Sequence, residues 1–122
     1  MIRAWLLAAA LGGLLSVTAG ATAAHLGLSG RAAELLRSGA LYGMVHAAAL
    51  IALAAIAQSR GPVGLALTIA GSSFAAGILL FSLSLFALAL TGGEWLGMIT
   101  PFGGTGLLVG WAALAVHALS RR

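Results

Sequence analysis

The chain has 122 residues, of which 61% are hydrophobic and 7% are charged, with a net charge of +4 and no cysteine. A soluble domain carries about a quarter charged residues, so this composition excludes a water-soluble globule, and the lack of cysteine excludes disulfides and thiolate metal sites. The arginines are spread along the chain rather than clustered with aromatic residues, which excludes a nucleic-acid-binding surface. With a mean hydropathy of +1.13, the sequence predicts one all-α domain: an integral membrane four-helix bundle in contact with the lipid bilayer.

The first predicted span covers residues 4–24. Met1-Ile2-Arg3 before an apolar run, and Ala21-Thr22-Ala23 near its end, resemble a secretory signal peptide. As a helix the run is about 31 Å long at ~1.5 Å per residue, which is enough to cross the hydrocarbon core, so we interpret it as a transmembrane helix. Small residues repeat along it at every fourth position: Ala4, Ala8, Gly12, Ser16, Gly20 and Ala24. This stripe predicts close packing against another helix, in the same chain or in a second one.

The second predicted span covers residues 40–57. Before it, residues 31–38 have the pattern of a short amphipathic helix, in which Glu34 lies three residues from both Arg31 and Arg37. That spacing predicts an interfacial ion pair on one helix face. The sequence leaves open whether the short helix and the span are one continuous helix.

The third predicted span, residues 62–91, would be about 45 Å long as one continuous helix. This exceeds the hydrocarbon core, so the helix must tilt, protrude or bend. The predicted bend is at Gly71-Ser72-Ser73. Residues 94–100 are then predicted to form a loop, with Trp95 at the membrane interface.

The fourth predicted span covers residues 102–119. It follows Thr100-Pro101, a typical helix start, and Arg121-Arg122 mark its end. Gly106 and Gly110 have the GxxxG spacing that allows two helices to approach closely. With Gly12, Ser16 and Gly20 of the first span, they are the predicted helix-packing positions.

The distribution of arginine predicts the orientation. Four spans place both termini on one side of the membrane, and that side carries four arginines without an acidic residue: Arg3, Arg60, Arg121 and Arg122. The other side carries two arginines, offset by two glutamates: Arg31, Arg37, Glu34 and Glu94. Because cytoplasmic segments are enriched in basic residues, we expect both termini to be cytoplasmic.

Five polar side chains fall at similar depths near the ends of the spans that lie opposite the termini: His25, Tyr42, His46, Ser82 and Ser84. Tyr42 precedes His46 by four residues and so shares its helix face. Intramembrane ionisable groups are candidates for function, whereas a neutral imidazole also serves as a simple interhelical hydrogen-bonding group. Two histidines are too few for a closed zinc site, and the small-residue stripes leave little room for haem. The sequence therefore predicts a polar cluster without a metal or cofactor.

No catalytic grouping is visible, because no carboxylate falls within a span and no nucleophile is paired with a base. We therefore expect a non-enzymatic structural or accessory protein, either a homo-oligomer or a subunit of a larger membrane complex. Two alternatives stay open. One is a transporter or channel for protons or a small solute that uses the polar cluster, and the other is a haem- or metal-binding membrane protein.

Five short segments occur in order along almost the whole chain: GATAAH (20–25), YGMVHA (42–47), GILLFSLSL (77–85), ITPFGG (99–104) and GW (110–111). Together they resemble the YgdD-like family of small bacterial inner-membrane proteins, which carries the domain of unknown function 423. The resemblance implies four spans and no known activity. This chain departs from the family pattern at Leu83, where glycine is usual, and at Phe86, where tyrosine is usual. It also lacks the aromatic residue and Gly-Ala-His usual near His25.

Overall fold

The computed structural model describes residues 1–28, 30–59 and 61–120. Within these ranges the regular structure is all helical, and four helical stretches are long and apolar enough to cross a membrane: Ile2–His25, Gly30–Gln58, Leu65–Thr91 and Glu94–Leu119. The predicted all-α, four-span fold is thereby confirmed. Four successive crossings place the two ends of the chain on the same side of the membrane.

The first two helices, α1 (Ile2–His25) and α2 (Gly30–Gln58), form a tightly packed hairpin. Gly27 and Gly30 in the turn have φ angles of 63° and 59°, the left-handed region that glycine adopts without steric cost. The middle of the small-residue stripe of α1, from Ala8 to Gly20, faces the interior of the same chain, while Ala4 and Ala24 at its ends are exposed. A Cβ on Gly12 would lie 2.7 Å from Cγ2 of Ile78, and one on Gly20 would lie 3.7 Å from Cβ of Ala40.

Helix α2 is continuous, so residues 31–38 and the second span form one helix, which is the point that the sequence left open. Gly39 lies within the helix and allows close packing rather than a break: a Cβ there would lie 2.6 Å from Cε1 of Phe86. The ion pair expected between Glu34 and the arginines three residues away is replaced by a different one. Arg31 instead donates to Glu94, with Nη1 to Oε1 at 2.9 Å and Nη2 to Oε2 at 3.4 Å. The pair joins the start of α2 to the connection before the fourth span.

The third span consists of α3 (Leu65–Gly77), a π-helical turn (Ile78–Ser82) and α4 (Leu83–Thr91). It starts three residues after Pro62 rather than at it. The bend expected at Gly71-Ser72-Ser73 is also wrong: these residues lie within regular α-helix, where Gly71 provides space for the indole of Trp5. The departure from α-helical geometry falls instead at the π-helical turn, a feature often found at functional sites.

The fourth span begins with a 3₁₀ helix (Glu94–Met98), where a loop was expected, and continues as α5 (Thr100–Leu119). Helix α5 packs against α3 and the π-helical turn. Only three of its residues are buried: Gly103, Leu107 and Gly110. At Gly103 the Cα faces the backbone of Phe81 so closely that no Cβ fits. The expected end of this span at Arg121-Arg122 lies outside the described residues. So does Arg60, one of the four arginines used to predict the orientation.

The core at the centre of the bundle is apolar and tightly packed. Phe74, Leu50, Leu53 and Ile78 are at most 1% exposed, and α1, α2, α3 and α5 all contribute to this cluster. Trp5 of α1 closes the end of the cluster near the termini. Lipid supplies no hydrophobic drive between helices, so close packing and interhelical hydrogen bonds hold the bundle together.

Candidate functional site

His46 lies at the centre of the candidate site, on α2, and is only 5% exposed. Its Nδ1 lies 2.7 Å from the carbonyl oxygen of Tyr42, one turn earlier. Its Nε2 lies 2.9 Å from the indole Nε1 of Trp111 on α5. An indole N–H can only donate and a carbonyl oxygen can only accept. The two contacts together therefore require the neutral tautomer of His46 with its proton on Nδ1.

Trp111 is the partner that sequence reasoning missed. Its indole lies near the middle of α5, and a tryptophan N–H at that depth needs an acceptor. This requirement could have indicated the pairing of Trp111 with His46 from the sequence, since histidine is one of the few side-chain acceptors in the spans. The ring of Trp111 also packs edge-on against Phe74 of α3, with centroids 5.0 Å apart, and Phe74 packs edge-on against His46 at 5.4 Å. The three rings thus connect three spans.

Tyr42 extends this aromatic group toward the end of the bundle that holds Arg31. Its ring lies parallel to that of His46, with an interplanar angle of 6° and centroids 6.2 Å apart, and it contacts Phe81 of the π-helical turn at 4.9 Å. Beside these rings is a pocket of about 390 Å³, lined by Tyr42, His46, Phe81, Gly104, Leu107, Leu108 and Trp111. We call it the α2–α5 pocket. Its walls are almost wholly apolar and aromatic.

The two predicted serines bond elsewhere. Ser82 donates to the carbonyl oxygen of Gly39 at 2.8 Å, which joins the π-helical turn to α2. Ser84 donates to the carbonyl oxygen of Phe81 at 2.9 Å and lies 2.6 Å from Oγ1 of Thr100, which joins α4 to α5. Both serines are buried, and both therefore link helices rather than line the pocket.

His25 is exposed at the C-terminal end of α1. No hydrogen bond within the described part of the chain joins it to the other four predicted residues. Of the five, the structure brings only Tyr42 and His46 to one site. The depth of these residues in the membrane was predictable from the sequence, but the direction in which each helix face points was not. That direction separates the serines and His25 from the pair.

Ser16 was predicted as a packing position and has an unusual environment. It is fully buried, and its Oγ is the one buried side-chain polar atom within the described ranges that has no hydrogen-bond partner. The hydroxyl lies directly against the Cα of Gly43 on α2, where any Cβ would clash with it. Ser82 approaches the same glycine from the π-helical turn, 3.0 Å from the position of such a Cβ.

The chemistry available at the α2–α5 pocket is that of a neutral aromatic surface. Both nitrogens of His46 are engaged, and no carboxylate lines the pocket. Across the described residues, no group of three or more His, Cys, Asp or Glu side chains is placed to hold a metal ion. The arrangement is suited to contact with an apolar ring or chain.

The helices and this site define a small multi-pass membrane protein with a hydrogen-bonded aromatic centre between three of its spans. Residues 19–104 match the family described as "Protein of unknown function (DUF423)", and the chain belongs to that family. The matched residues include Tyr42 and His46 and end before Trp111. The resemblance to the YgdD-like family is thereby confirmed.

Relatives align over nearly the full length. The UPF0382 membrane protein YwdK of Bacillus subtilis is 35% identical over 122 residues, which are 97% of this chain and 98% of the relative. A UPF0382 membrane protein of Haemophilus influenzae is 40% identical over 94% of this chain and 93% of its own length. The UPF0382 inner membrane protein YgdD of Escherichia coli is 34% identical over 96% and 90%. No solved structure matches the chain.

Proposed function

We propose that this chain is a non-catalytic accessory subunit of the membrane, which binds another membrane-embedded chain through the outer face of α5. The observation that carries the proposal is the low burial of the fourth span. Only 17% of its most apolar window is buried within the bundle, compared with 44% for the second and third spans. We define the outer face of α5 by four exposed residues in helical register: Thr105, Val109, Ala112 and Val116.

The use of polar groups inside the bundle supports a scaffold role over a solute path. His46, Ser82 and Ser84 are all engaged in hydrogen bonds within the chain. A proton or solute path requires polar groups that are free to exchange partners along its length. To bind a haem iron or a metal ion, His46 would have to break one of its two hydrogen bonds, and His25 lies apart from it. The geometry favours neither alternative.

The small residues that were predicted to contact another helix already do so within this chain. The predicted packing positions are occupied by contacts within the chain: Gly12 faces Ile78 and Gly20 faces Ala40 on the α1 side. On α5, Gly106 faces Gly77 and Gly110 faces the ring of Phe74. These small residues therefore give no reason to expect a second copy. A partner, whether a second copy or a different chain, would instead contact the exposed outer α5 face.

For the orientation, we propose that the end of the bundle holding the termini is cytoplasmic, on the arginine distribution given above. The absence of native cysteine makes this simple to test. A cysteine at Ser59 should react with a membrane-impermeant thiol reagent only in inside-out vesicles, and one at Met98 only in right-side-out vesicles. The reverse pattern would overturn the orientation.

The accessory role is tested by the mass of the native particle. Extraction of the membrane in lipid nanodiscs, followed by native mass spectrometry, should find the 12.1 kDa chain together with a second integral membrane chain. Val109→Trp on the outer α5 face should reduce recovery of that chain at least fivefold. Leu15→Trp on α1 is the matched control, because Leu15 is 41% exposed and Val109 is 44% exposed, and it should leave recovery unchanged. A folded lone monomer from native membranes would contradict the proposal.

A further inference from the structure

We propose that the α2–α5 pocket binds one acyl chain of a membrane phospholipid, with the ester carbonyl of that chain accepting a hydrogen bond from the Tyr42 hydroxyl. This site goes beyond the accessory role and does not depend on it, because it lies between α2 and α5 rather than on the outer face of α5.

The pocket opens sideways into the bilayer. Helix α5 packs against α3 and the π-helical turn, and the Trp111–His46 hydrogen bond bridges the remaining gap to α2. At the mouth, Tyr42 is 46% exposed, Leu108 is 71% exposed and Trp111 is 44% exposed. These side chains belong to membrane spans, so the mouth is continuous with the surface that already contacts lipid.

The lining selects an apolar occupant. Three of the seven lining residues are leucine or glycine and three are Tyr, Phe or Trp, while both nitrogens of His46 are engaged. An ion, a sugar or a charged solute would lose its hydration there without gaining partners. A hydrocarbon chain loses nothing, because it exchanges contact with lipid for contact with the closely spaced walls.

The size of the pocket favours a chain over a helix. From Gly104 to Trp111 the pocket extends about 10 Å along α5 at ~1.5 Å per residue. A partner helix is about 10 Å wide, so it would lie against the exposed side chains of Leu108 and Trp111 at the mouth rather than enter the gap that the Trp111–His46 hydrogen bond bridges. A single extended hydrocarbon chain is narrow enough to enter, and the bonded pair of His46 and Trp111 closes the end nearest the membrane centre.

Tyr42 places the polar end of the ligand. No group in the described part of the chain accepts a hydrogen bond from its hydroxyl. Tyr42 follows Arg37 by five residues, about 8 Å along α2, and aromatic side chains on a helix point back toward its N-terminus. We therefore expect the hydroxyl near the level of Arg37, at the boundary where phospholipid ester carbonyls are found and where tyrosine is enriched.

The probe is dioleoyl phosphatidylethanolamine, titrated into delipidated full-length protein in mild detergent and followed by native mass spectrometry. We expect one lipid per chain to survive activation that removes all others. Gly104→Leu should lower the retained fraction at least tenfold: a Cβ there makes only ordinary contact with Phe81, so the added side chain extends into the pocket. Ala10→Leu, which adds the same type of side chain at an exposed position of α1, should have no effect. If Gly104→Leu does not fold, Leu108→Trp at an exposed position of the pocket mouth replaces it.

The hydrogen bond is tested separately with a lipid that has ether linkages instead of esters. Tyr42→Phe should weaken retention of the ester lipid about fivefold, as expected for one neutral hydrogen bond. The ether lipid should bind the wild-type chain equally weakly, and Tyr42→Phe should weaken its retention no further. The proposal is overturned if pocket-filling variants retain lipid like the wild type, if ester and ether lipids bind alike, or if the retained occupant is a second protein chain.

Discussion

The hydrogen bond between Trp111 and His46 should contribute measurably to stability. Trp111→Phe removes the indole N–H but keeps an aromatic ring against Phe74. His46 is only 5% exposed, so no solvent replaces the lost donor, and Nε2 is left as an unpaired buried acceptor. Such a loss costs about 1–3 kcal/mol in proteins. Interhelical hydrogen bonds in membranes average about 0.6 kcal/mol, with a maximum near 1.7. We therefore expect the free energy of unfolding to fall by about 1–2 kcal/mol.

The assay is reversible unfolding in mixed micelles by titration with dodecyl sulfate, followed by far-UV circular dichroism. Trp95→Phe is the matched control, because Trp95 is 66% exposed and its indole donates to no described residue. It should change the free energy of unfolding by less than about 0.5 kcal/mol.

A double-mutant cycle isolates the bond from other effects of the substitutions. Once His46→Leu has removed the acceptor, Trp111→Phe should cost little more, so the two changes should be coupled by about 1 kcal/mol. Strict additivity of the two substitutions, or a loss no larger than that of Trp95→Phe, would refute the role given to this hydrogen bond.

Three further predictions concern the helix contacts and use the same unfolding assay. Ser16→Ala should leave the free energy of unfolding unchanged or raise it, because the Ser16 hydroxyl is buried without a partner. Ser82→Ala should lower the free energy of unfolding by about 1 kcal/mol, because it removes a hydrogen bond to α2. Equal losses for the two serines would contradict this. Gly43→Ala should destabilise by about 1–3 kcal/mol, since the new Cβ overlaps the Ser16 hydroxyl, and Ser16→Gly should restore part of the loss. Arg31→Gln should change stability by less than about 1 kcal/mol, because the Arg31 and Glu94 side chains are 64% and 72% exposed; a larger loss would show that this pair anchors the connection before α5.

The number and approximate extent of the spans could be predicted because they depend on local composition. In a bilayer, the backbone hydrogen bonds of a run of about 20 apolar residues can only be satisfied within a helix. Glycine, proline and arginine mark the ends of these runs. The continuity of α2 was not decided by this reasoning, because Gly39 is compatible both with a helix break and with close packing. Only the neighbouring Phe86 ring, 47 positions away in the chain, decides between them.

The site could be predicted only in part for a related reason. Hydropathy gives the depth of a residue along the membrane normal, and the four-residue spacing places Tyr42 and His46 on one face of one helix. The rotation of each helix about its own axis depends on packing, and it decides that Trp111 meets His46 while Ser84 meets Thr100. The ion pair between Arg31 and Glu94 likewise depends on which helix ends are neighbours, which a local charge pattern does not contain.

The tautomer of His46 reports directly on its hydrogen bonds to Trp111 and Tyr42. In the variant His25→Gln/His117→Gln, His46 is the one remaining histidine, so ¹⁵N-histidine labelling in lipid bilayers reports on it alone. We expect a neutral ring with a protonated Nδ1 and an unprotonated Nε2 that accepts from the Trp111 indole, and loss of that acceptor signature in Trp111→Phe. A ring protonated at Nε2, or at both nitrogens, would contradict the hydrogen-bonded centre on which the account rests.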